Sequence, residues 1–476
     1  MKKCLLLAQT AALLSLPVAD AHAQDAPPPS DPLTHHQSPP PLSPSAVTED
    51  WPRFLGPHDD ATSRETPLSL PDSSTPPPII WELKKGAGYA GPSIADDKLY
   101  LFHRLEDQEV LECRDPESGK LLWSQKHAVE YRDRYGFSPG PRAAPVVDEN
   151  RVYTLGVTGR LACHDTASGN LLWEREINTD YHVPQYFFGT GPSPLVYQDK
   201  LILNVGGRQP PDNGVCVVAL NKLTGETLWE TRDTWGASYA SPIIASLHNA
   251  PRLLVFAGGE SDPATGGLLC LDPDSGETLD RFPWRADKFE SVNASTPVLL
   301  PNNRVYISEC YQKGGVLLEY DKSFKSSVVW KAPDFGMHWM TPILIDGTLY
   351  GFRGRNEPDA LLAAYDAATG TEYWREDLSW RKVIDGRNFG WGFFRGSLLQ
   401  TPQFVIALGE FGTLAVFELS PEGLNTPFQT DLFFAREAWT LPVLHKGLLY
   451  VCQNTPDVIS KAPPRLLCYS LRPAND

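Results

Sequence analysis

Apolar residues in this chain fall in short runs cut by polar turns, and one such unit repeats along most of its length. Residues 161–173 read LACHDTASGNLLW. The leading apolar residues predict a strand, Asp165 and Gly169 bracket a tight turn, and Leu171, Leu172 and Trp173 predict the returning strand. Each turn residue has its own physical reason. An Asp carboxylate accepts backbone N–H groups two residues on, Gly tolerates positive φ, and Trp offers a large apolar face to a neighbour. The same hairpin recurs at residues 112–123, 219–229 and 364–374, while residues 269–279 keep the turn but are followed by Asp280 where Trp is expected.

The turn residues Asp115, Asp165, Asn221, Asp272, Asp321 and Asp366 recur roughly every 45 to 56 positions, an interval that signals an internal repeat. A second signal precedes each hairpin: a proline, then an apolar strand, as in SPLVYQDKLIL from Ser193 and TPILIDGTLY from Thr341. These anchor prolines, or their equivalents, fall at Pro92, Pro145, Pro194, Pro242, Pro297, Pro342, a degenerate Ser397, and Pro442. One anchor strand, a partner and the hairpin make four strands, the content of a propeller blade. The last unit ends at Tyr469 without a Trp strand, whereas Ile79-Ile80-Trp81-Glu82 is a Trp strand upstream of the first anchor. Pairing the two completes a ring and removes the open sheet edges. The expected fold is therefore all-β, an eight-bladed β-propeller over residues 79–476 closed by an N-terminal strand.

The region before the ring has three characters. Residues 1–23, MKKCLLLAQTAALLSLPVADAHA, have the charged start, apolar run and small terminal residues of an export signal, with cleavage expected after Ala23. Cys4 lies too early to carry a lipid anchor. Residues 24–50 are rich in Pro, Ser and Asp and predict a disordered tether. Residues 51–78 begin Trp51-Pro-Arg-Phe-Leu-Gly-Pro, and this patch is expected to dock on the flank of the ring, because exposing Trp and Phe together is costly. No later segment is apolar enough to span a membrane.

Charge and cysteine usage narrow the partners. A net charge of −16 without any basic run disfavours nucleic acid. Eight cysteines become seven without residues 1–23, an odd number for a disulfide framework. Cys113, Cys163, Cys270 and Cys468 hold equivalent places in four different units, where they read as small buried hydrophobes. Cys452 and Cys468 share the last unit and bridge only if their registers coincide.

The pattern Ala/Cys-x-Asp-x-x-x-Gly-x-x-x-Trp, clear at 113–123, 163–173, 219–229 and 364–374 and partial at 270–280 and 319–330, resembles the tryptophan-docking motif of pyrroloquinoline-quinone-like (PQQ-like) propellers. From Trp51 onward the chain is most similar to exported, Trp-Pro-headed repeat proteins of that class. More remotely it is similar to the propeller lipoprotein of outer-membrane β-barrel assembly. The resemblance implies a girdle in which each Trp packs on the motif of the next blade, through Trp81, Trp123, Trp173, Trp229, Trp330 and Trp374. Quinone-dependent alcohol dehydrogenases share the fold. They use a calcium held by Glu, Asn and Asp, an Asp base and often adjacent cysteines. This chain has no Cys-Cys pair, and no stretch matches the calcium or base positions, so no catalytic residue carries over.

The segments just before the anchor strands are expected to converge at one mouth of the channel, and they are unusually aromatic. They offer Tyr135, Arg142, Phe187, Tyr239 and Asn293, then His338, Trp339, Trp391 and Arg395, as candidate ligand-binding residues. Aromatics among glycines with two cations suit a flat, anionic or sugar-like ligand, although the same rings can simply plug the channel. Asp287, Glu290 and Asp334, with Asn293, offer oxygen ligands near the same mouth but match no compact calcium loop. The reading is an exported, non-catalytic binding scaffold, periplasmic or secreted and associated with the cell envelope, that takes a protein or small ligand on its channel face without a cofactor. The rival is a dehydrogenase using PQQ and calcium, and a third class is a carbohydrate-binding propeller.

Overall fold

The computed structural model describes residues 32–71, 75–207, 214–356, 359–384 and 386–473. The predicted export signal lies outside them. The chain divides into Met1–Pro32, of which only Pro32 is described, and Leu33–Asp476, which holds the ring.

Eight antiparallel sheets follow one another, the first from Ser93–Ala95 to Leu121–Ala128 and the last built around Val443–His445, Leu448–Gln453 and Arg465–Ser470. Each anchor proline stands directly before an innermost strand: Pro145 before Val146–Asp148, Pro342 before Ile343–Ile345, Pro442 before Val443–His445. Proline is tolerated there because the innermost strand is an edge, with no ladder on its channel side. The stretch that reads as one anchor strand is itself a hairpin, Leu195–Tyr197 turning into Lys200–Asn204. The seventh blade departs from the repeat, since a hairpin of Ser379–Ile384 and Arg387–Gly392 is inserted before its first strand, Ser397–Gln400.

Closure follows the expected pairing. Ile79–Lys84 runs antiparallel to Arg465–Ser470, with Ile79 opposite Tyr469 and Trp81 opposite Cys468. Leu33–His35 then adds a fifth strand outside it, Leu33 opposite Leu83 and His35 opposite Trp81. That part of the expected tether is therefore ordered: the outer edge of Ile79–Lys84 supplies hydrogen bonds, and the Leu33 side chain packs against the ring's core.

The Trp51 segment is not on the flank but inside the channel. Trp51 and Ile94 exchange both backbone hydrogen bonds at 2.8 Å, the Val147 N–H donates to the Pro52 carbonyl, and the Gln400 N–H donates to the Ala61 carbonyl. The segment thus crosses from the first and second blades to the seventh. Channel-facing strand edges have unpaired amides and carbonyls, and this segment satisfies them while burying Trp51. The Glu65 carboxylate fixes its far end by accepting the Lys446 and Gly447 N–H groups at 2.6 and 2.8 Å.

The seven cysteines of the described residues are free. Cys452 faces Leu466 and Cys468 faces Tyr450, so the two registers do not coincide. No helix among the described residues is long and apolar enough to cross a membrane.

A candidate binding cavity at the channel mouth

The residue three places before an anchor proline faces the channel in seven blades. These residues are Tyr89, Arg142, Gly191, Tyr239, Ala294, Trp339 and Trp439, and all of them line one open cavity of about 580 Å³. The recurrence has a simple cause: the chain enters each innermost strand at the same height, so the same position points to the same axis. In the seventh blade, where Ser397 replaces the proline, the cavity residue is Arg395. Phe54, from the segment inside the channel, lines the cavity together with Phe137, Phe187 and Phe188.

The rings form a curved belt. Trp339 lies 4.6 Å from Trp439, Trp439 5.8 Å from Phe137, Phe137 5.6 Å from Phe188, and Phe188 5.6 Å from Tyr239, between centroids. Successive planes are tilted by 53° to 76°. The result is a bowl rather than a slot between parallel faces. Tyr135 and Phe289 stand at its lip, each more than half exposed.

Three guanidinium groups line the bowl, each beside an aromatic ring. Arg142 lies near Tyr89 and Tyr131 and is bound to Asp133 at 3.0 Å. Arg395 lies between Trp339 and Trp439, at 4.8 and 5.1 Å, and is bound to the buried Glu410, which also accepts the Trp439 indole N–H at 2.9 Å. Arg355 covers Tyr311 at 4.4 Å and approaches Glu290 only to 3.8 Å. His338 shares a hydrogen bond with the Tyr311 hydroxyl at 3.1 Å, and burial, reinforced by Arg395 and Arg355, pushes its pKa well below the usual histidine range. Tyr89 donates to Glu437 at 2.5 Å, and burial, then the Glu437 charge, raises the Tyr89 pKa.

Of the sequence candidates, Tyr135, Arg142, Phe187, Tyr239, His338, Trp339 and Arg395 meet in this cavity. Asn293 and Trp391 do not. Asn293 is fully buried and its amide donates to the Ala257 and Trp284 carbonyls at 2.8 and 3.0 Å, while its own backbone carbonyl accepts the Tyr239 N–H. It holds Tyr239 in place from behind. Trp391 belongs to the inserted hairpin, stacks on Phe434 at 4.0 Å and donates to Thr413. Glu290 does reach the cavity, but Asp287 and Asp334 are not among its lining residues. The sequence candidates omit Tyr89, Tyr311, Arg355, Trp439 and Phe54. The first and fourth are readable from their distance to Pro92 and Pro442; the others come from loops and from the channel segment, which follow no repeat.

Residues 106–376, more than half of the chain, match the family described as outer membrane protein assembly factor BamB. The chain belongs to that family. Among solved structures, this BamB-family propeller is similar to quinohemoprotein alcohol dehydrogenase from Comamonas testosteroni, with 14% identity over 90% of this chain and 81% of that one, at a TM-score of 0.59. It is also similar to BamB from Moraxella catarrhalis, with 12% identity over 84% of this chain and 100% of that one, at a TM-score of 0.52. At such identities the likeness is one of fold. No significant match exists among curated proteins.

Proposed function

We propose that this propeller is an exported, non-catalytic binding protein of the cell envelope, and that its ligand, a small molecule or a projecting part of a protein partner, sits in the aromatic bowl. The observation that carries this reading is the commitment of the bowl's polar groups to one another. Asp133 is held by Arg142, Glu410 by Arg395 and Trp439, Glu437 by Tyr89, and His338 shares a hydrogen bond with Tyr311. A general base needs a free lone pair within reach of a substrate proton, and both carboxylate oxygens of Asp133 and of Glu410 already accept hydrogen bonds. The aromatic side chains, in contrast, line open space. The family's description, that of an outer-membrane assembly factor, supports an envelope setting.

One structural neighbour is a quinohemoprotein alcohol dehydrogenase, so PQQ with calcium is the group to test against these residues. The fit is poor. Among the described residues no three His, Cys, Asp or Glu side chains gather as a metal site, and Asp133 and Glu410 are already paired with Arg142 and Arg395. A planar tricyclic anion would also meet one tilted face at a time.

Binding of 8-anilinonaphthalene-1-sulfonate tests the reading. One saturable site per chain is expected, with energy transfer from bowl tryptophans. Trp339→Phe, which removes an indole N–H that has no partner, should cut that transfer. Ala294→Phe, which fills the bowl from its wall, should abolish the site at unchanged far-ultraviolet dichroism. Absence of a saturable site, or a site indifferent to Ala294→Phe, overturns the assignment.

A further inference from the structure

The bowl's three arginines are not equivalent. The side chains of Arg142 and Asp133 are 10% and 1% exposed, and those of Arg395 and Glu410 are 16% and 2%. Those pairs are parts of the wall. Arg355 and Glu290 are 39% and 51% exposed and stand 3.8 Å apart, longer than a good charge-assisted hydrogen bond. Such a surface pair is worth little and opens at little cost. Arg355 is therefore the one of these three cations that can exchange its partner for a ligand's anion, and its planar fork fits a carboxylate.

The shape narrows the rest of the ligand. Adjacent rings tilted by 53° to 76° contact a puckered, saturated ring on several of its C–H faces, whereas a flat fused ring meets one. Ser241 and Asn356 add neutral polar atoms of the kind that bond hydroxyl groups. The wall continues outward through Phe187, 6.0 Å from Tyr135 and 5.3 Å from Phe289. Exposed aromatics beside a cavity extend the contact beyond a single ring.

Resting on the reading of the bowl as a binding site, we propose that its ligand is an acidic oligosaccharide: one sugar ring in the bowl, its carboxylate on Arg355 in place of Glu290, and the next ring against Tyr135, Phe187 and Phe289.

Calorimetry with the trimers of galacturonate and of mannuronate, against maltotriose, tests this. At least one acidic trimer should bind, about tenfold more tightly than maltotriose, the size of one hydrogen bond to a charged group. Arg355→Ala should abolish the preference for the acidic trimer, bringing its affinity to that of maltotriose measured on the same variant. Glu290→Gln should strengthen it several-fold. Both side chains are on the surface, so the fold is not at stake. Equal affinity for acidic and neutral trimers, or undiminished acidic binding by Arg355→Ala, overturns the charge assignment. If anilinonaphthalene sulfonate occupies the bowl but neither acidic trimer binds, the ligand class is wrong while the binding cavity stands; if the dye finds no site, the cavity reading itself fails.

Discussion

The indole of Trp123 lies across Gly169 of the next blade, so close that a Cβ on that glycine would stand 2.6 Å from the ring. The same indole donates its N–H to the Thr166 carbonyl at 3.1 Å. Gly169 has φ of +74°, and Asp165 holds its turn by accepting the Ala167 and Ser168 N–H groups. The contact recurs around the ring: Trp81 donates to Pro116, Trp173 to Lys222, Trp229 to Pro273, Trp330 to Ala367 and Trp374 to Ser420. Gly169→Ala meets two costs at once, about 1–2 kcal/mol for a left-handed backbone with a Cβ and about 1–3 kcal/mol for forcing the ring away. Chemical denaturation should show a loss of about 2–5 kcal/mol. Trp123→Phe, which gives up the hydrogen bond and part of the ring face, should cost less than Trp123→Ala.

Where a docking tryptophan is missing, other contacts stand in. Asp280 occupies the Trp place in the fourth blade, and its carboxylate accepts the Ser326 N–H at 3.1 Å, while the nearby Trp284 donates to the Gly314 carbonyl at 3.1 Å. Asp280→Trp should not stabilise the ring, because the fifth blade's turn, closed by Asp321 onto Ser323 and Lys325, has no glycine to receive an indole. Thermal melting of that variant checks this, and an increase would contradict it.

Ring closure makes the N-terminal strand indispensable. A chain beginning at Leu33 should melt like the full chain. One beginning at Ile79 keeps the closing strand but loses the channel segment, and should fold with lower stability. One beginning at Ser93 leaves Arg465–Ser470 as an open edge and should aggregate. Size-exclusion chromatography with thermal melting separates the three.

Glu410 is buried, and Arg395 supplies its countercharge. Arg395→Met should cost about 3–5 kcal/mol, because a lone carboxylate remains inside. Adding Glu410→Gln should recover much of this loss. A double-mutant cycle by denaturation reads the coupling, and additivity of the two changes would contradict the pairing.

His164 is buried, and burial first, then Arg160 and His127, pulls its pKa down to about 4. An unfolded histidine titrates near 6.5, so between roughly pH 6.5 and 4 the unfolded chain binds a proton that the folded chain refuses. Stability should fall as pH drops through that window, by up to about 3 kcal/mol from this group. Glu309 acts in the opposite sense: burial raises its pKa to about 7 against hydrogen bonds from the Tyr311 and Lys313 amides, so its contribution weakens the fold as pH rises from its unfolded value. The difference between wild type and His164→Gln isolates the first effect. The variant should lose less stability between about pH 6.5 and 4.

The ring was legible because its residues repeat: turn Asp, turn Gly, docking Trp and anchor Pro each mark one place in a blade, and strand pairing follows from them. Residues 33–35 and 51–63 were misplaced because the sequence shows their composition but not the free strand edges that receive them. Of the bowl, the residues in repeat phase were readable, as Arg142, Tyr239 and Trp339 show. Asn293 and Trp391 lie in suitable segments, yet their side chains turn into the wall, a direction set by packing that no local pattern encodes.

We propose that the bowl binds its ligand and does not oxidise it. Purified protein saturated with PQQ and calcium, then supplied with alcohols and sugars and a dye acceptor, tests it most directly. A binding bowl gives no dye reduction, no retained quinone chromophore and an unchanged melting temperature. Steady dye reduction that disappears in Arg142→Ala would contradict it.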